Sequence, residues 1–125
     1  MSRLAVGLWS ATVAATLLAS CAATGSMAQV LVQNERHQAV TLEVTGQAPI
    51  TLADWTDVLL SLPATGEWTI LADGRVAYSA AAWRAADHRD RTYPVVLLQG
   101  GVEPIFVFEE RGIPEASGVN PACRE

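Results

Sequence analysis

The sequence contains no lysine. Its eight basic residues are all arginine and stand against thirteen acidic residues, which gives a net charge of −5. Because nucleic-acid-binding surfaces need clustered Lys and Arg, this composition excludes nucleic acid as an expected partner. The chain has 125 residues, half of them hydrophobic, so it is long enough for one domain and too apolar to be disordered throughout.

Motifs that would identify an enzyme are also missing. The sequence has no GxSxG around a nucleophilic serine, no glycine-rich phosphate loop and no DxDxDG spacing for a calcium loop. The carboxylate pairs at 54/57 and 109/110 are typical of solvated surfaces. The sequence therefore assigns no catalytic residue and no cofactor, and it does not point to an enzyme.

Histidine is scarce, with only His37 and His88 in the whole chain. Imidazole and carboxylate groups are the usual ligands of transition metals, so Asp87 and His88, joined by His37 from another loop, form the best candidate metal site. The arginines beside Asp87 and His88 oppose a cation. A solvated charged segment is therefore preferred over a metal site here.

The first twenty residues are predicted to be a secretory signal. A single basic residue, Arg3, precedes an uncharged segment over residues 4–19, which is the layout of an n-region followed by an h-region. Sixteen residues, several of them Ser, Thr or Gly, are marginal for crossing about 30 Å of hydrocarbon. A cleaved signal is therefore favoured over a transmembrane anchor.

The end of this signal carries a short motif, LASC, over residues 18–21. It resembles the lipobox of bacterial lipoproteins, and the resemblance covers the signal only. It implies that Cys21 is lipidated and becomes the mature N-terminus, with residues 21–28 as a tether to the membrane. Since Ala22 follows the cysteine in place of an aspartate, the resemblance also allows an outer-membrane destination.

A second cleavage site remains open. Residues 26–28, SMA, fit the small-x-small pattern of ordinary signal peptidase, which would release a soluble chain from Gln29. Lipidation would block the Cys21 thiol, and cleavage after Ala28 would remove it. On either route Cys123 has no partner within the chain, so we expect it to be a free thiol on the C-terminal tail.

Beyond residue 28 the hydrophobic pattern has a period of two. Short alternating segments at 29–34, 40–45, 50–52 and 58–62 are separated by turn residues, which is typical of strands. Residues 95–98, VVLL, are apolar throughout and predict a central strand. The returning segment contains Pro104, which cannot donate to a ladder, so that strand should have a free side or a bulge there.

The pattern predicts a mostly β fold, a small antiparallel β-sandwich or barrel of about seven strands with one short helix. The domain would occupy residues 29–110 and be followed by a coil tail over 111–125. The alanine-rich segment 79–91, which Ser79 could cap, is the predicted helix.

One hairpin is predicted in detail, around Asp73-Gly74. A two-residue loop would pair large residues with small ones, whereas a loop over 72–74 would place Trp68 opposite Tyr78 and Ile70 opposite Val76. The second register makes one face wholly apolar, so the three-residue loop is predicted. It requires a left-handed glycine at 74.

Two tryptophans are not assigned to the core by strand position, Trp55 and Trp83. They could line a binding surface for carbohydrate or peptide, or they could cap the ends of a small core.

The sequence thus predicts an exported, lipid-anchored β-sandwich module of the cell envelope. Its expected partners are the membrane, through the N-terminal lipid, and another envelope protein. The alternative is a secreted enzyme or metal-handling domain using His37, Asp87 and His88.

Overall fold

The computed structural model describes residues 27–101 and 103–118, so the predicted signal, Cys21 and Cys123 lie outside the described residues. Two four-stranded sheets pack face to face as a β-sandwich, which confirms the predicted fold class. The first sheet has the strand order β4-β1-β7-β8 and the second has the order β3-β2-β5-β6. The strands are β1 (Met27–Glu35), β2 (Val40–Val44), β3 (Ile50–Leu52), β4 (Asp57–Pro63), β5 (Thr69–Ala72), β6 (Arg75–Ser79), β7 (Thr92–Gln99) and β8 (Ile105–Arg111).

The core lies between the two sheets and follows the predicted alternation. In β2, Val40, Leu42 and Val44 are buried while the residues between them face solvent. The same alternation buries every second residue of β4 and β5. Since β-branched and aliphatic side chains fit a half-buried pleated surface, these strands form where the sequence predicts them. The buried core includes Val30, Val32, Val40, Leu42, Val44, Leu60, Leu62, Ile70, Val96 and Leu98.

The strand predicted to be central, at residues 95–98, lies inside the first sheet and confirms that prediction. It belongs to β7, which pairs with β1 on one side and with β8 on the other. The β1–β7 pair is parallel, with Leu31 opposite Val95, whereas the other neighbouring strands are antiparallel. A parallel pair needs a long crossover, and here the crossover contains the whole second sheet.

The predicted three-residue loop at 72–74 is wrong. Asp73 and Gly74 form a two-residue turn, both with positive φ (49° and 82°), and Ala72 lies opposite Arg75. Such a turn matches the right-handed twist of the strands. The register then shifts between Ile70 and Leu71, so that Ile70 faces Tyr78. A bulge inside the hairpin thus places Tyr78 on the apolar face that packs into the core. The predicted left-handed conformation of Gly74 is confirmed.

The helix is shorter than the predicted segment. The helix, α1, spans Ala80–Ala85. The Ser79 hydroxyl accepts a hydrogen bond from the Ala82 N–H at 3.2 Å, which confirms the predicted cap. The chain leaves the helix at Ala86, and a 3-10 turn over Arg89–Arg91 leads into β7. Asp90 and Arg91 have positive φ, which is incompatible with continuing the helix.

Asn34 joins the loops at one end of the sandwich. Its side chain is 1% exposed, and Nδ2 donates to the carbonyls of Gln38, Leu52 and Ala53 at 2.9, 3.1 and 3.0 Å. Its Oδ1 accepts from the Arg36 N–H at 3.0 Å. Because a buried amide is stabilising only when its groups are paired, Asn34 fixes the strand ends of both sheets relative to each other.

Candidate interaction surface

The structure does not bring the three candidate metal ligands together. His37 follows β1, whereas His88 precedes β7 and borders a cleft beside Met27, at the other end of the same sheet. The length of β1 separates the two imidazoles by roughly 20 Å or more. Within residues 27–101 and 103–118, no three His, Cys, Asp or Glu side chains are grouped as metal ligands.

His88 instead joins α1 to β8. Its Nδ1 lies 3.0 Å from a Glu109 carboxylate oxygen and its Nε2 lies 2.6 Å from the Trp83 carbonyl, while the ring stacks on the Trp83 indole at 4.7 Å between centroids. Asp87 accepts a hydrogen bond from Arg89 at 2.5 Å. Trp83 is therefore half-buried against His88, as the core-capping interpretation expects, and Asp87 points to an arginine.

Trp55 is the more exposed of the two candidate tryptophans, with 58% of its surface accessible. Its indole N–H donates to His37 Nδ1 at 3.3 Å, and the two rings meet edge to face at 5.4 Å. The residue has φ of 55°, which is uncommon for a bulky side chain. A shallow cleft of about 490 Å³ runs from Trp55 to Gln99 and Gly100. This loop presents an aromatic surface, but the described residues around it hold no cluster of nucleophile and base.

The outer face of the first sheet carries a second apolar cluster. Leu31, Tyr93 and Val95 are buried there, and Ala116 of the C-terminal tail packs against them. Burial, with smaller contributions from nearby carboxylates, raises the pKa of Tyr93. The tail, predicted as coil, therefore crosses this face from β8 toward β4.

At the β4 edge the tail replaces a neighbouring strand. The Leu59 N–H donates to the Gly118 carbonyl at 2.8 Å, and the Asp57 N–H donates to Ser117 Oγ at 3.3 Å. Ser117 Oγ also donates to the Asp57 carbonyl at 3.0 Å, and the Asp57 carboxylate accepts from the Ser117 N–H. Edge strands are commonly protected in this way, because unpaired backbone groups attract other strands.

The β8 edge has no such cover in the described part of the chain. β8 is the last strand of the first sheet, and β7 is its neighbour on one side. The Gln99 N–H donates to the Pro104 carbonyl at 3.2 Å, which shows that the even-numbered residues of this segment direct their backbone groups toward β7. Since hydrogen-bonding direction alternates along an antiparallel strand, Phe106 and Phe108 bond to β7, while the backbone groups of Val107 and its odd-numbered neighbours point outward.

The side chains of β8 are exposed and apolar at the same place. Phe106, Val107 and Phe108 are 48%, 43% and 43% exposed, and Ile113 just beyond the strand is 86% exposed. Phe106 lies opposite Leu97 on the outer face of the sheet. Exposed apolar surface joined to unpaired backbone is the usual signature of a strand-binding or protein-binding edge.

Charged pairs flank this apolar segment. Before the strand, Glu103 pairs with Arg75 at 2.5 Å, and at its end Arg111 pairs with Asp90 at 3.1 Å. All four side chains are exposed. Exposed pairs of this kind contribute little to stability, so they can exchange for other partners at small cost.

Only Pro104 in the sequence pointed to an edge strand here. It predicted a free side or a bulge, and β8 is an edge strand, but the strand begins after it and the Pro104 carbonyl bonds to Gln99 on the β7 side. The exposure of Phe106, Val107 and Phe108 was not predicted, because alternation assigns one face of such a strand to the core.

No described helix has the length and apolarity that crossing a membrane requires. No protein-family model matches the chain, and no curated protein is significantly similar to it.

Proposed function

We propose that this chain is a non-catalytic module of the cell envelope, held at a membrane by a lipid on Cys21, which binds a protein partner through the edge of β8. The observation that supports the binding role is the free apolar edge, where Phe106, Val107 and Phe108 are exposed beside outward-pointing backbone groups. The lipobox-like LASC motif supports the anchoring.

A binding role explains why an exposed edge of this kind is retained. A long apolar edge strand invites aggregation unless a partner covers it, and natural proteins usually add lysine, proline or a bulge to prevent this. β8 has none of these between Ile105 and Phe108. The metal-handling alternative lacks comparable support, because His37 and His88 lie at opposite ends of the first sheet.

Membrane fractionation tests the anchoring. The full chain should enter the membrane fraction, resist extraction by high salt and be released by detergent, and Cys21→Ala should abolish this behaviour. Cys123→Ala is the matched control, since it removes the other thiol and should leave the fractionation unchanged. If Cys21→Ala fractionates as the unaltered chain does, cleavage after residues 26–28 or an uncleaved anchor replaces the lipid model.

A pull-down tests the binding role separately. The unaltered chain should retain envelope proteins, or copies of itself, that a Val107→Lys variant does not retain, because a charge at the centre of the edge opposes strand pairing. Val76→Lys is the control, since Val76 is 65% exposed on the second sheet. Equal retention by both variants would contradict binding through β8.

A further inference from the structure

The sequence around β8 is self-complementary when it is read against its own reverse. With Val107 at the centre, Phe106 and Phe108 exchange places. Aromatic pairs directly across an antiparallel ladder are favourable. One segment thus carries matching groups for a second copy of itself.

The backbone of β8 fits the same arrangement. The outward-pointing groups belong to the odd-numbered residues, which include Ile105, Val107 and Glu109. In an antiparallel pair centred on Val107, Val107 meets Val107 of the second copy, and Ile105 meets Glu109 of the second copy. These are all hydrogen-bonding positions, so the pair would form about six backbone hydrogen bonds without disturbing the ladder to β7.

We propose that the partner of the β8 edge is a second copy of this chain, paired antiparallel through β8 with Val107 on the two-fold axis. The two first sheets then form one continuous eight-stranded sheet. Phe106 of each copy packs against Phe108 of the other on the outer face.

Neighbouring registers are less favourable. A pair centred on Phe108 places Phe106 opposite Glu110 and Val107 opposite Glu109, so both of these apolar side chains meet a carboxylate. A pair centred on Phe106 pairs only that one aromatic residue with its own copy and places Phe108 opposite Pro104, which lies outside the strand. The register centred on Val107 forms two Phe106–Phe108 pairs, more than either neighbouring register, although Ile105 then lies opposite Glu109.

The strength of the pair links this proposal to the proposed function. Pairing through a single strand buries less surface than the roughly 800 Å² per partner of a standard stable interface, so the dimer should be weak in dilute solution. Anchoring at a membrane raises the effective concentration of the copies and favours pairing. The proposal rests on the proposed function in this respect only, and its geometry can be tested without the membrane.

Disulfide trapping tests the register. In the full chain carrying Cys123→Ser, kept in detergent, Val107→Cys should form a disulfide dimer under mild oxidation, because residues at a hydrogen-bonded pair lie about 5.5 Å apart between Cα atoms. Val76→Cys in the same background is the control for random collision, since Val76 is exposed on β6 of the second sheet. We expect at least a roughly tenfold faster reaction for Val107→Cys, the ratio that 1.4 kcal/mol of preference would give.

Proline substitution tests the backbone pairing. Because the Val107 N–H points outward, Val107→Pro should leave the β7–β8 ladder intact and remove hydrogen bonds only from the pair. The dissociation constant of the dimer, measured by sedimentation of the full chain, should rise by roughly tenfold or more. The circular dichroism spectrum of the variant should remain that of the unaltered protein.

The outcomes separate this proposal from the proposed function. A Val107→Cys chain that reacts no faster than Val76→Cys, or a dimer that survives Val107→Pro, overturns pairing through β8. A full chain that is monomeric at every concentration, yet retains another envelope protein through β8, also overturns the second copy as partner while the binding role stands. If the lipid model for Cys21 fails, the trapping experiment is repeated with Cys21→Ser added to both chains, so that position 107 or 76 carries the only thiol and the two tests stay separate.

Discussion

The two edges of the first sheet are built from strands of the same length with opposite surroundings. β4 and β8 each have seven residues. Every second residue of β4 is buried, and Ser117 and Gly118 of the tail occupy its outer side. β8 has no fully buried residue, and no other described strand pairs with its outer side.

The second sheet shows that the open edge is an exception among the described strands. Its edge strand β3 has only three residues, and β6 carries a bulge and the charged Arg75 near its start. Short length, bulges and charge are the usual means by which proteins prevent strands from adding at an edge. Three of the four edges are thus protected in different ways, whereas the charges of β8, at Glu109, Glu110 and Arg111, leave its first four residues uncovered. This difference favours a binding role for that half of β8.

The largest loss of stability is expected at Asn34, which lies in β1 between the two edge strands. Asn34→Asp replaces the Nδ2 donor with an oxygen that faces three carbonyls and adds a charge inside the protein. We expect the free energy of unfolding to fall by about 3 kcal/mol or more, measured by urea denaturation. Gln38→Glu, the same exchange at an exposed position of the loop after β1, is the control and should cost less than about 1 kcal/mol. Similar losses in the two variants would contradict the Asn34 network.

Proline in β8 separates its paired side from its open side. Phe108→Pro removes an N–H that bonds to β7 together with an aromatic side chain, so the free energy of unfolding should fall by about 2–3 kcal/mol. Val107→Pro should cost less than about 1 kcal/mol, because its N–H points outward. Thermal unfolding of dilute protein measures both. A larger loss for Val107→Pro than for Phe108→Pro would reverse the assigned direction of the edge.

Removing the tail contact should make the β4 edge more like the β8 edge. Ser117→Ala deletes the hydroxyl that bonds to both the Asp57 N–H and its carbonyl, at a cost of about 1 kcal/mol. We expect faster amide exchange at Leu59, whose N–H bonds to Gly118, with little change in the core. Thr51→Ala on the second sheet is the control. Unchanged exchange at Leu59 would show that Ser117 does not hold the tail.

Tyr78 of β6, which lies near Glu109 on the inner side of β8, should make stability depend on pH in alkaline solution. Burial, and secondly the Glu109 carboxylate, raises the pKa of Tyr78 to about 12. An unfolded tyrosine ionises near pH 10, so between pH 10 and 12 the folded state binds more protons and stability falls as pH rises. Tyr78→Phe should weaken this fall, and Glu109→Gln should weaken it slightly. Melting temperatures across this range measure the effect, and identical slopes in all three proteins would contradict it.

Local patterns in the sequence were sufficient for most strands. The alternation at Val40, Leu42 and Val44 and the apolar run at 95–98 depend on neighbours within the same segment, so they could be interpreted without tertiary information. The cap at Ser79 is likewise local. These are the features for which sequence pattern and tertiary packing agree.

Contacts between distant segments could not be predicted. The hairpin register depends on a bulge that places Tyr78 opposite Ile70, and its stability comes from the core rather than from the turn. The parallel pairing of β1 with β7 joins Leu31 to Val95 across the whole second sheet. The tail contact joins Asp57 to Ser117, sixty residues apart. The hydrophobic periodicity within one segment does not indicate which distant segment it pairs with.

The candidate site was predicted in part for the same reason. Pro104 predicted a strand with a free side, but its carbonyl bonds to Gln99 and its ring nitrogen therefore faces β7, so the missing N–H does not mark the open edge. His37 and His88 were grouped on residue type alone, and their separation depends on the parallel course of β1 and β7. The exposure of Phe106 and Phe108 depends on their pointing to the outer face of the first sheet, opposite Leu97 and Val95, which no local pattern contains.

Amide hydrogen exchange along β8, followed at low and high protein concentration, tests the open edge most directly. In dilute protein the account predicts slow exchange at Phe106 and Phe108, which bond to β7, and fast exchange at Val107 and Glu109. At high concentration Val107 and Glu109 should become protected while Phe106 and Phe108 change little. Slow exchange at all four amides in dilute protein, or fast exchange at Val107 and Glu109 at every concentration, would contradict pairing of copies through this edge.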